Sequence, residues 1–166
     1  MNAYMPTSQT DDWATPQNLF DELDAIHNFT LDVAASSTNH KTQHWFGLDH
    51  ENPLLRDGLA MSWQNNRVWC NPPYGRKCFD WIKKLADHNN GIALVFARTE
   101  TIGFHEQVWQ RADAIFFFKG RLKFYYVDGT QGGSANAPSC LISYGKENTK
   151  ALIDFAENNE GALIIL

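Results

Sequence analysis

The sequence predicts an α/β protein with a mostly parallel sheet and a C-terminal antiparallel hairpin. Helix-like segments alternate with short apolar ones, and residues 92–97 are continuously apolar, which is typical of a strand covered on both faces. Beyond residue 120, two strand-like runs flank a glycine-rich turn signal, which predicts a hairpin. A length of 166 residues with 43% hydrophobic content suits one domain with one sizeable core. We expect a flexible segment at 1–12 and this single domain at 13–166.

The first part of the chain predicts one helix and two short strands. Thr15 is a good N-cap and Pro16 suits the first helical position, so a helix should begin here. Its core-facing residues recur at helical spacing and are Leu19, Phe20, Leu23 and Ile26. Residues 29–34 and 67–70 predict buried strands. The intervening residues 36–66 predict irregular structure with scattered apolar anchors.

The middle of the chain continues the alternation of helices and strands. A helix should follow Gly75, with an apolar face formed by Phe79, Ile82, Leu85 and Ala86. The runs 92–97 and 114–118 predict buried strands, and residues 101–110 predict a helix between them. Buried strands that alternate with helices favour a parallel sheet.

The last part of the chain predicts the hairpin and one more helix. Residues 122–127 and 139–144 should be the hairpin strands, joined by the turn signal at 128–133. A helix near 148–158 and a last apolar stretch at 162–166 complete the pattern.

The cysteines, histidines and apolar runs exclude several classes of protein. Cys70, Cys78 and Cys140 form neither a zinc pattern nor a disulfide framework, which favours buried free thiols. The histidines give no evident set of metal ligands, so we expect no bound metal. No apolar run approaches the roughly 20 residues of a membrane span, and the N-terminus lacks a signal-peptide pattern. We therefore expect a soluble, intracellular protein without a membrane partner.

The net charge of −5 hides an uneven distribution of charge. Residues 1–66 hold nine acids and two bases, and residues 124–166 hold five acids and two bases. Residues 67–123 hold ten of the fourteen Lys and Arg residues against five acids, for a net charge of +5. Because a polyanion responds to the local field, this segment favours a nucleic-acid partner. The alternative is that some of these charges only solvate helix faces, above all Lys83, Lys84 and Arg111.

The tetrapeptide Asn71-Pro72-Pro73-Tyr74 is the strongest candidate for a functional site. Two consecutive prolines fix two φ angles and remove two backbone donors, so the loop is stiff and its carbonyls point outward. The Asn71 amide oxygen and a proline carbonyl can accept hydrogen bonds from an exocyclic amino group, while Tyr74 offers a face for stacking. Like Asp32, the loop follows a predicted strand, and parallel sheets bind ligands beyond the carboxyl ends of their strands. The sequence therefore predicts a site for a planar molecule that carries an amino group.

Several ordered segments resemble the phage-type, Dam-like family of DNA N6-adenine methyltransferases. They are Trp13-Ala-Thr-Pro16, residues 31–35 followed by Asn39, Asp57-Gly-Leu59 with Trp63, residues 71–75, and Gly120-Arg-Leu-Lys-Phe124. The resemblance implies the S-adenosylmethionine-dependent methyltransferase (Rossmann-like) fold. It also implies a site-specific enzyme that flips adenine out of double-stranded DNA and methylates its N6 amino group with S-adenosylmethionine. The implied setting is the cytoplasm of a bacterial or phage-infected cell, with restriction-modification as one context.

The resemblance further implies roles for individual residues. The catalytic pocket would be formed by Asn71, Pro72, Pro73 and Tyr74. The cofactor would be bound by Trp13, Thr15, Pro16, Asp32, Ala34, Asn39 and Asp57, with Asp32 orienting either its amino-acid or its ribose portion. DNA phosphates would be bound by Arg76, Lys77, Arg121 and Lys123, and Arg98 would contact either DNA or the cofactor. Thr15 and Trp13 also have simpler interpretations, as an N-cap and as a hydrophobic anchor.

One segment departs from the family pattern. The turn that usually carries a glycine-rich GxG in such cofactor sites reads Asp-Val-Ala-Ala-Ser-Ser over residues 32–37. Small Ala and Ser side chains are expected to permit the same close approach of the cofactor.

The sequence leaves target selection and the substrate class open. Only about 40 residues separate Asp32 from Asn71, which leaves no room for a separate target-recognition domain. Loops at 36–66 and 128–137, a homodimer, or low specificity would then account for target choice. The alternative functions are methylation of RNA adenine or of a glutamine side chain, and a catalytically silent DNA-binding relative.

Overall fold

The computed structural model of the protein describes residues 15–125, 131–134 and 137–166. The expectations for residues 1–12, for Trp13 and for part of the predicted turn at 128–133 lie outside these ranges. In chain order the elements are α1 (Gln17–His27), β1 (Leu31–Asp32), a 3-10 turn (Pro53–Leu55), β2 (Val68–Cys70), α2 (Cys78–His88), β3 (Gly91–Phe96), α3 (Ile102–Phe104) continued by a π-helical segment (His105–Trp109), β4 (Ala114–Phe118), β5 (Lys123–Tyr125), β6 (Gln131–Ser134), β7 (Ser139–Tyr144), α4 (Lys146–Glu157) and β8 (Gly161–Ile165).

The main sheet has six strands in the order β1-β2-β3-β7-β4-β8. The pairs β1–β2 and β2–β3 are parallel, whereas β3–β7, β7–β4 and β4–β8 are antiparallel. The α/β class is therefore confirmed, but the expectation of a mostly parallel sheet is wrong. The physical reason is that β7 lies between β3 and β4, so that Leu141 sits opposite both Leu94 and Phe116.

The expected hairpin strand at 139–144 is instead this central strand β7. All six of its residues are buried, and a strand buried on both faces is stable only where the sheet is covered on both sides. β5 pairs with β6 in a separate two-stranded sheet, with Lys123 opposite Ser134 and Tyr125 opposite Gln131. Residues 131–133, predicted as part of a turn, thus belong to a strand.

Helix α1 differs from its prediction at both ends. Pro16 occupies the N-cap position, and no side chain caps the helix. Leu19, Phe20 and Leu23 are buried as predicted, but Ile26 is 39% exposed. The buried stripe ends instead on His27, four residues after Leu23, whose ring is hydrogen-bonded to a side chain of α4. Contact with α4 therefore decides which residue of the last turn faces inward.

Helices cover both faces of the main sheet. On one face α1 and α4 pack over a core that includes Phe20, Trp69 and Phe155. On the other face α2 and α3 pack over a core that includes Ile82 and Phe104. Because both faces are covered, a ligand reaches the main sheet at the ends of its strands.

The three cysteines are buried and free, as the sequence predicts. Burial raises the pKa of the Cys78 thiol to about 12, so it stays protonated and unreactive. Over the described ranges, no group of three or more His, Cys, Asp or Glu residues is placed to hold a metal ion. Nor does any helix in that part of the chain have the length and apolar character needed to cross a membrane.

Candidate active site

The carboxyl ends of β1, β2 and β3 meet at one edge of the main sheet, and predicted site residues collect there. Asp32 is the last residue of β1, Asn71 directly follows β2, and Arg98 comes two residues after β3. β7 starts at the same edge because it runs in the opposite direction, with Ser139 opposite Phe96. The edge therefore brings together side chains from distant parts of the sequence.

Asn71 is held in place by Thr15. Its Nδ2 donates a hydrogen bond to Thr15 Oγ1 at 2.9 Å, and Thr15 is 2% exposed. The interpretation of Thr15 as an N-cap is wrong, because Pro16 takes that position and the Thr15 hydroxyl contacts Asn71 instead. A bond from the amide nitrogen turns the amide oxygen of Asn71 away from Thr15. Thr15 is thus a positioning residue for Asn71.

Tyr74 stacks on Phe96 at the same edge. The ring centroids are 4.1 Å apart and the ring planes differ by 11°. The guanidinium of Arg98 lies 5.8 Å from the centroid of the Phe96 ring. Burial raises the pKa of the Tyr74 hydroxyl well above its usual value, with smaller contributions from Cys78 and Cys140. The phenol is therefore neutral at physiological pH.

Asp32 is a buried carboxyl group at the end of β1. It is 3% exposed; its Oδ2 accepts a hydrogen bond from the backbone N–H of Lys41 at 2.9 Å, and its Oδ1 accepts one from Ala34 at 3.4 Å. Burial raises the pKa of Asp32 to about 6, although these hydrogen bonds and the charges of Lys41 and His40 act in the opposite direction. A buried carboxyl group of this kind favours a ligand that brings a positive charge or hydrogen-bond donors.

Lys41 connects Asp32 to Thr15, although it is not among the residues predicted for the site. While its backbone N–H binds Asp32, its Nζ donates to the Thr15 carbonyl at 3.1 Å and to Gln17 Oε1 at 2.7 Å. One residue therefore ties the loop after β1 to the start of α1. The sequence does hold a signal for it, since Lys41 and Arg56 are the only basic residues among the first 66.

The turn after β1 lacks the expected glycines, but two glycines lie in the segments that pack against it. A Cβ atom on Gly47 would lie 2.1 Å from the carbonyl oxygen of Ala35, and one on Gly58 would lie 2.2 Å from that of Val33. Such close approach to another backbone requires glycine. The small-residue turn is thus enclosed by tight contacts with its neighbours.

Gly47→Ala should destabilise the protein by about 3 kcal/mol, because the added methyl group forces two backbones apart. Urea unfolding measures the loss. Gly120→Ala is a suitable comparison, since Gly120 has a φ of +74° and, among the described residues other than its chain neighbours, no atom lies within 4 Å of the position that its Cβ would take. That change should cost only about 1 kcal/mol, and equal losses for the two variants would show that close contact does not require glycine at residue 47.

Three of the other predicted cofactor residues adjoin this turn or Thr15. Pro16 is buried directly after Thr15. Ala34 supplies the backbone N–H that binds Asp32. Asn39 closes the same loop, because its backbone exchanges two hydrogen bonds with Ser36, each 3.1 Å long. The structure therefore brings these three residues to the Asp32 side of the site.

Asp57 is placed differently. It is exposed, and its Oδ1 accepts hydrogen bonds from the backbone N–H groups of Leu59 and Ala60, both at 3.1 Å. The carboxylate thus caps its own turn. The following residue, Gly58, is the one that packs against the turn after β1.

The ten basic residues of segment 67–123 serve in different places. Five have hydrogen bonds or ion pairs that hold them to neighbouring groups of the protein: Arg67, Lys83, Lys84, Arg111 and Lys119. This set includes Lys83, Lys84 and Arg111, for which the sequence left a structural interpretation open. The residues predicted to bind DNA are all exposed, as contact with a phosphate requires: Arg76, Lys77, Arg98, Arg121 and Lys123.

A groove of about 420 Å³ lies beside the site, between the start of α1 and the segment that joins β4 to β5. Pro16 lines it on one side, and Phe118 and Leu122 contribute apolar surface. Arg121 and Lys123 line it as well. Two of the predicted DNA-binding residues therefore border a cavity that is also lined by Pro16, the residue after Thr15.

Comparison with known proteins identifies the family of the chain. The family model described as DNA N-6-adenine-methyltransferase (Dam) matches residues 2–163. The chain belongs to the Dam family. A curated Dam-family relative, the DNA N-6-adenine-methyltransferase of Escherichia phage T1, is 25% identical over 166 residues. That match covers 97% of the chain but 64% of the relative, so the chain spans less than two thirds of the relative's length. The Dam-like resemblance of the sequence is therefore confirmed.

Proposed function

We propose that the protein is an adenine-specific DNA methyltransferase that uses S-adenosylmethionine to methylate adenine N6. The observation that carries this proposal is the hydrogen bond from Asn71 to Thr15, which fixes the amide of the Asn-Pro-Pro-Tyr loop at the sheet edge that also holds the buried Asp32. Membership of the Dam family supports adenine N6 as the amino group that this loop receives. We also propose that residues 13–166 act as one methyltransferase domain.

The residues around Asp32 fit the proposed cofactor. A buried carboxyl group with a raised pKa suits a ligand that carries an ammonium group and ribose hydroxyls. The side chains of residues 34–37, after Asp32, are all Ala or Ser, and such small side chains would permit close approach of a ligand. S-adenosylmethionine, when bound, supplies a methyl group activated by a positively charged sulfur. Thr15, Asp32, Ala34 and Asn39 would hold it, while the roles of Trp13, Pro16 and Asp57 stay predictions.

Asn71 would activate the adenine amino group. The N6 lone pair is delocalised into the adenine ring, so the amine is planar and a poor nucleophile. Hydrogen bonds from its two hydrogens to the Asn71 side-chain oxygen and the Pro72 carbonyl favour a tetrahedral nitrogen and stabilise the positive charge that develops on it. The stiff proline pair fixes both acceptors before the substrate arrives. The resulting ammonium is acidic enough to lose its proton to water, so no protein base is needed.

Tyr74 would hold the flipped adenine by stacking. Because its ring already packs on Phe96, its orientation is fixed before the base arrives. Stacking on a fixed aromatic ring supplies part of the free energy that unpairing the base costs. The exposed basic residues around the same edge would bind the phosphates on either side of the flipped nucleotide.

Thr15→Val should slow methyl transfer about tenfold, which corresponds to the loss of one hydrogen bond of about 1.4 kcal/mol. Valine has the shape of threonine but cannot accept from Asn71 Nδ2, so the amide rotates more freely. Single-turnover methylation of duplex DNA measures the rate. Thr15→Ser, which keeps the hydroxyl, should stay close to the wild-type rate, and a wild-type rate for Thr15→Val would contradict the positioning role of Thr15.

The proposed function is tested by methyl transfer from labelled S-adenosylmethionine to several acceptors. Unmethylated duplex DNA, single-stranded RNA and a glutamine-containing peptide are incubated with the protein, and the methylated products are then separated and identified. We expect label in N6-methyldeoxyadenosine from DNA. Label in the RNA or the peptide but not in DNA would support one of the alternatives, and no label in any acceptor would contradict methyltransferase activity.

A further inference from the structure

We propose that the ammonium group of Lys41 binds the carboxylate at the amino-acid end of the cofactor. The inference rests on the proposed function, because it assigns a role within the same site. None of the segments that resemble the family includes Lys41, which lies in the irregular part of the chain after β1. The reason for the assignment is that the Lys41 ammonium forms no ion pair with any residue that the structure describes.

The Lys41 ammonium donates to neutral partners. Its Nζ contacts the Thr15 carbonyl and Gln17 Oε1, at 3.1 and 2.7 Å. Within the part of the chain that the structure describes, the ion pairs involve other residues, and Lys41 is not among them. The side chain is half-buried, and loss of solvent lowers its pKa, while the charges of Asp32 and Asp21 act in the opposite direction without forming an ion pair with it. A cation that is partly removed from water without an anion in contact is completed by a ligand that brings a negative charge.

The hydrogen-bond partners of Lys41 also fix the position of its ammonium group. Gln17 Nε2 donates to Asp21 Oδ1 at 2.7 Å, so the oxygen of the same amide is held towards Lys41. An ammonium group has three donors, and the two neutral contacts use two of them. The third donor can bind a carboxylate oxygen without breaking either contact.

Lys41 and Asp32 together match an α-amino acid. The backbone N–H of Lys41 binds the Asp32 carboxyl group, and the side chain of the same lysine carries the ammonium group. Lys41 thus connects the negative group of Asp32 to a positive group. A free amino acid carries an ammonium and a carboxylate on the same carbon. Asp32 suits the ammonium and Lys41 suits the carboxylate, which is the sole anionic group of S-adenosylmethionine and of its product S-adenosylhomocysteine.

The test is a comparison of two ligands that differ by one carboxylate. Calorimetric titration of the wild type gives the affinity for S-adenosylhomocysteine and for its decarboxylated amine, which keeps the ammonium group but lacks the anion. We expect Lys41→Met to lower the affinity for S-adenosylhomocysteine about tenfold or more and to leave the affinity for the decarboxylated amine nearly unchanged. Lys41→Arg should keep the wild-type preference for the carboxylate.

Lys84→Met is the matched control. Lys84 is also half-buried and also donates from Nζ to two neutral oxygens, in its case the backbone carbonyls of Leu59 and Met61 on the α2 side of the protein. This variant should not change the ratio of the two affinities. An equal loss of affinity for both ligands in Lys41→Met would overturn the inference, because a purely structural role of Lys41 affects the binding of both ligands alike.

The two proposals fail in different ways. A wild type that methylates DNA but shows no preference for the carboxylate-bearing ligand would overturn the role of Lys41 and leave the proposed function intact. A wild type that prefers S-adenosylhomocysteine through Lys41 but methylates no adenine would support the role of Lys41 and contradict the proposed function.

Discussion

Asn71→Ala should slow methyl transfer to DNA by at least about 100-fold, because it removes the acceptor that we propose to stabilise the charge developing on the adenine nitrogen. Cofactor affinity should change little, since Asp32 and Lys41 are contributed by a different strand end and loop. The loop itself should keep its shape, because its two prolines fix the backbone without the Asn71 side chain. Single-turnover methylation at saturating cofactor and DNA isolates this effect from binding.

Two further variants give this prediction its controls. Asn71→Asp keeps an acceptor towards adenine and can accept a hydrogen bond from the Thr15 hydroxyl, so it should lose much less activity than Asn71→Ala. Asn158→Ala changes an exposed asparagine at the end of α4 and should have no effect. A wild-type rate for Asn71→Ala would show that this amide is not part of the catalytic machinery.

Asp32→Asn should weaken cofactor binding about 100-fold while it stabilises the ligand-free protein at neutral pH. Burial raises the pKa of Asp32 from 3.8 to about 6, so above pH 6 the folded state carries a charged group in an unfavourable environment. This difference corresponds to up to about 3 kcal/mol. A neutral amide avoids that cost, although it leaves one of the two backbone donors less well bound.

The pH dependence of this gain has a defined sign. Between pH 3.8 and about 6, folded Asp32 binds a proton that the unfolded chain releases, so the contribution of Asp32 to stability rises as the pH falls through this window. The advantage of Asp32→Asn should therefore be largest above pH 6 and disappear towards pH 4. Chemical unfolding of both proteins across this range measures it, and a constant difference between them would contradict the raised pKa.

Cofactor binding should respond to pH in the opposite direction. Only the charged carboxylate attracts an ammonium group, so the wild-type affinity for S-adenosylhomocysteine should be full above the pKa of about 6 and fall below it. The affinity of Asp32→Asn should be low and nearly constant over the same range. Equal pH profiles for the two proteins would show that Asp32 does not meet the charged end of the cofactor.

The Asn-Pro-Pro-Tyr loop could be predicted from the sequence because its chemistry is local. Consecutive prolines stiffen the backbone wherever they occur, and the strand before Asn71 is short, apolar and correctly placed by its pattern. The partners of the loop are a different matter. The hydrogen bond from Asn71 to Thr15 joins residues 56 positions apart, and sequence pattern alone assigned the Thr15 hydroxyl to the nearest helix.

The position of β7 and the contacts of Lys41 could not be predicted for a related reason. Burial of all six residues of β7 is compatible with several neighbours, and proximity in sequence favoured a hairpin with the preceding strand. Lys41 lies in a loop without periodicity, and its contacts depend on how that loop folds back on α1. In both cases the local sequence pattern is compatible with several arrangements, and long-range packing decides which of them forms.

The central position of β7 sets the order in which the protein can assemble during synthesis. β3 and β4 share no ladder of hydrogen bonds, since both pair with β7 instead. A nascent chain that has emerged only as far as residue 138 therefore has unpaired strand edges in the middle of its sheet, which invites wrong pairing. Tyr74 stacks on Phe96, and Phe96 gains its strand partner in β7 only when Ser139 has been synthesised. The proposed pocket for the base is thus among the last features to form, and a ribosome-bound precursor should be inactive until β7 has emerged and paired.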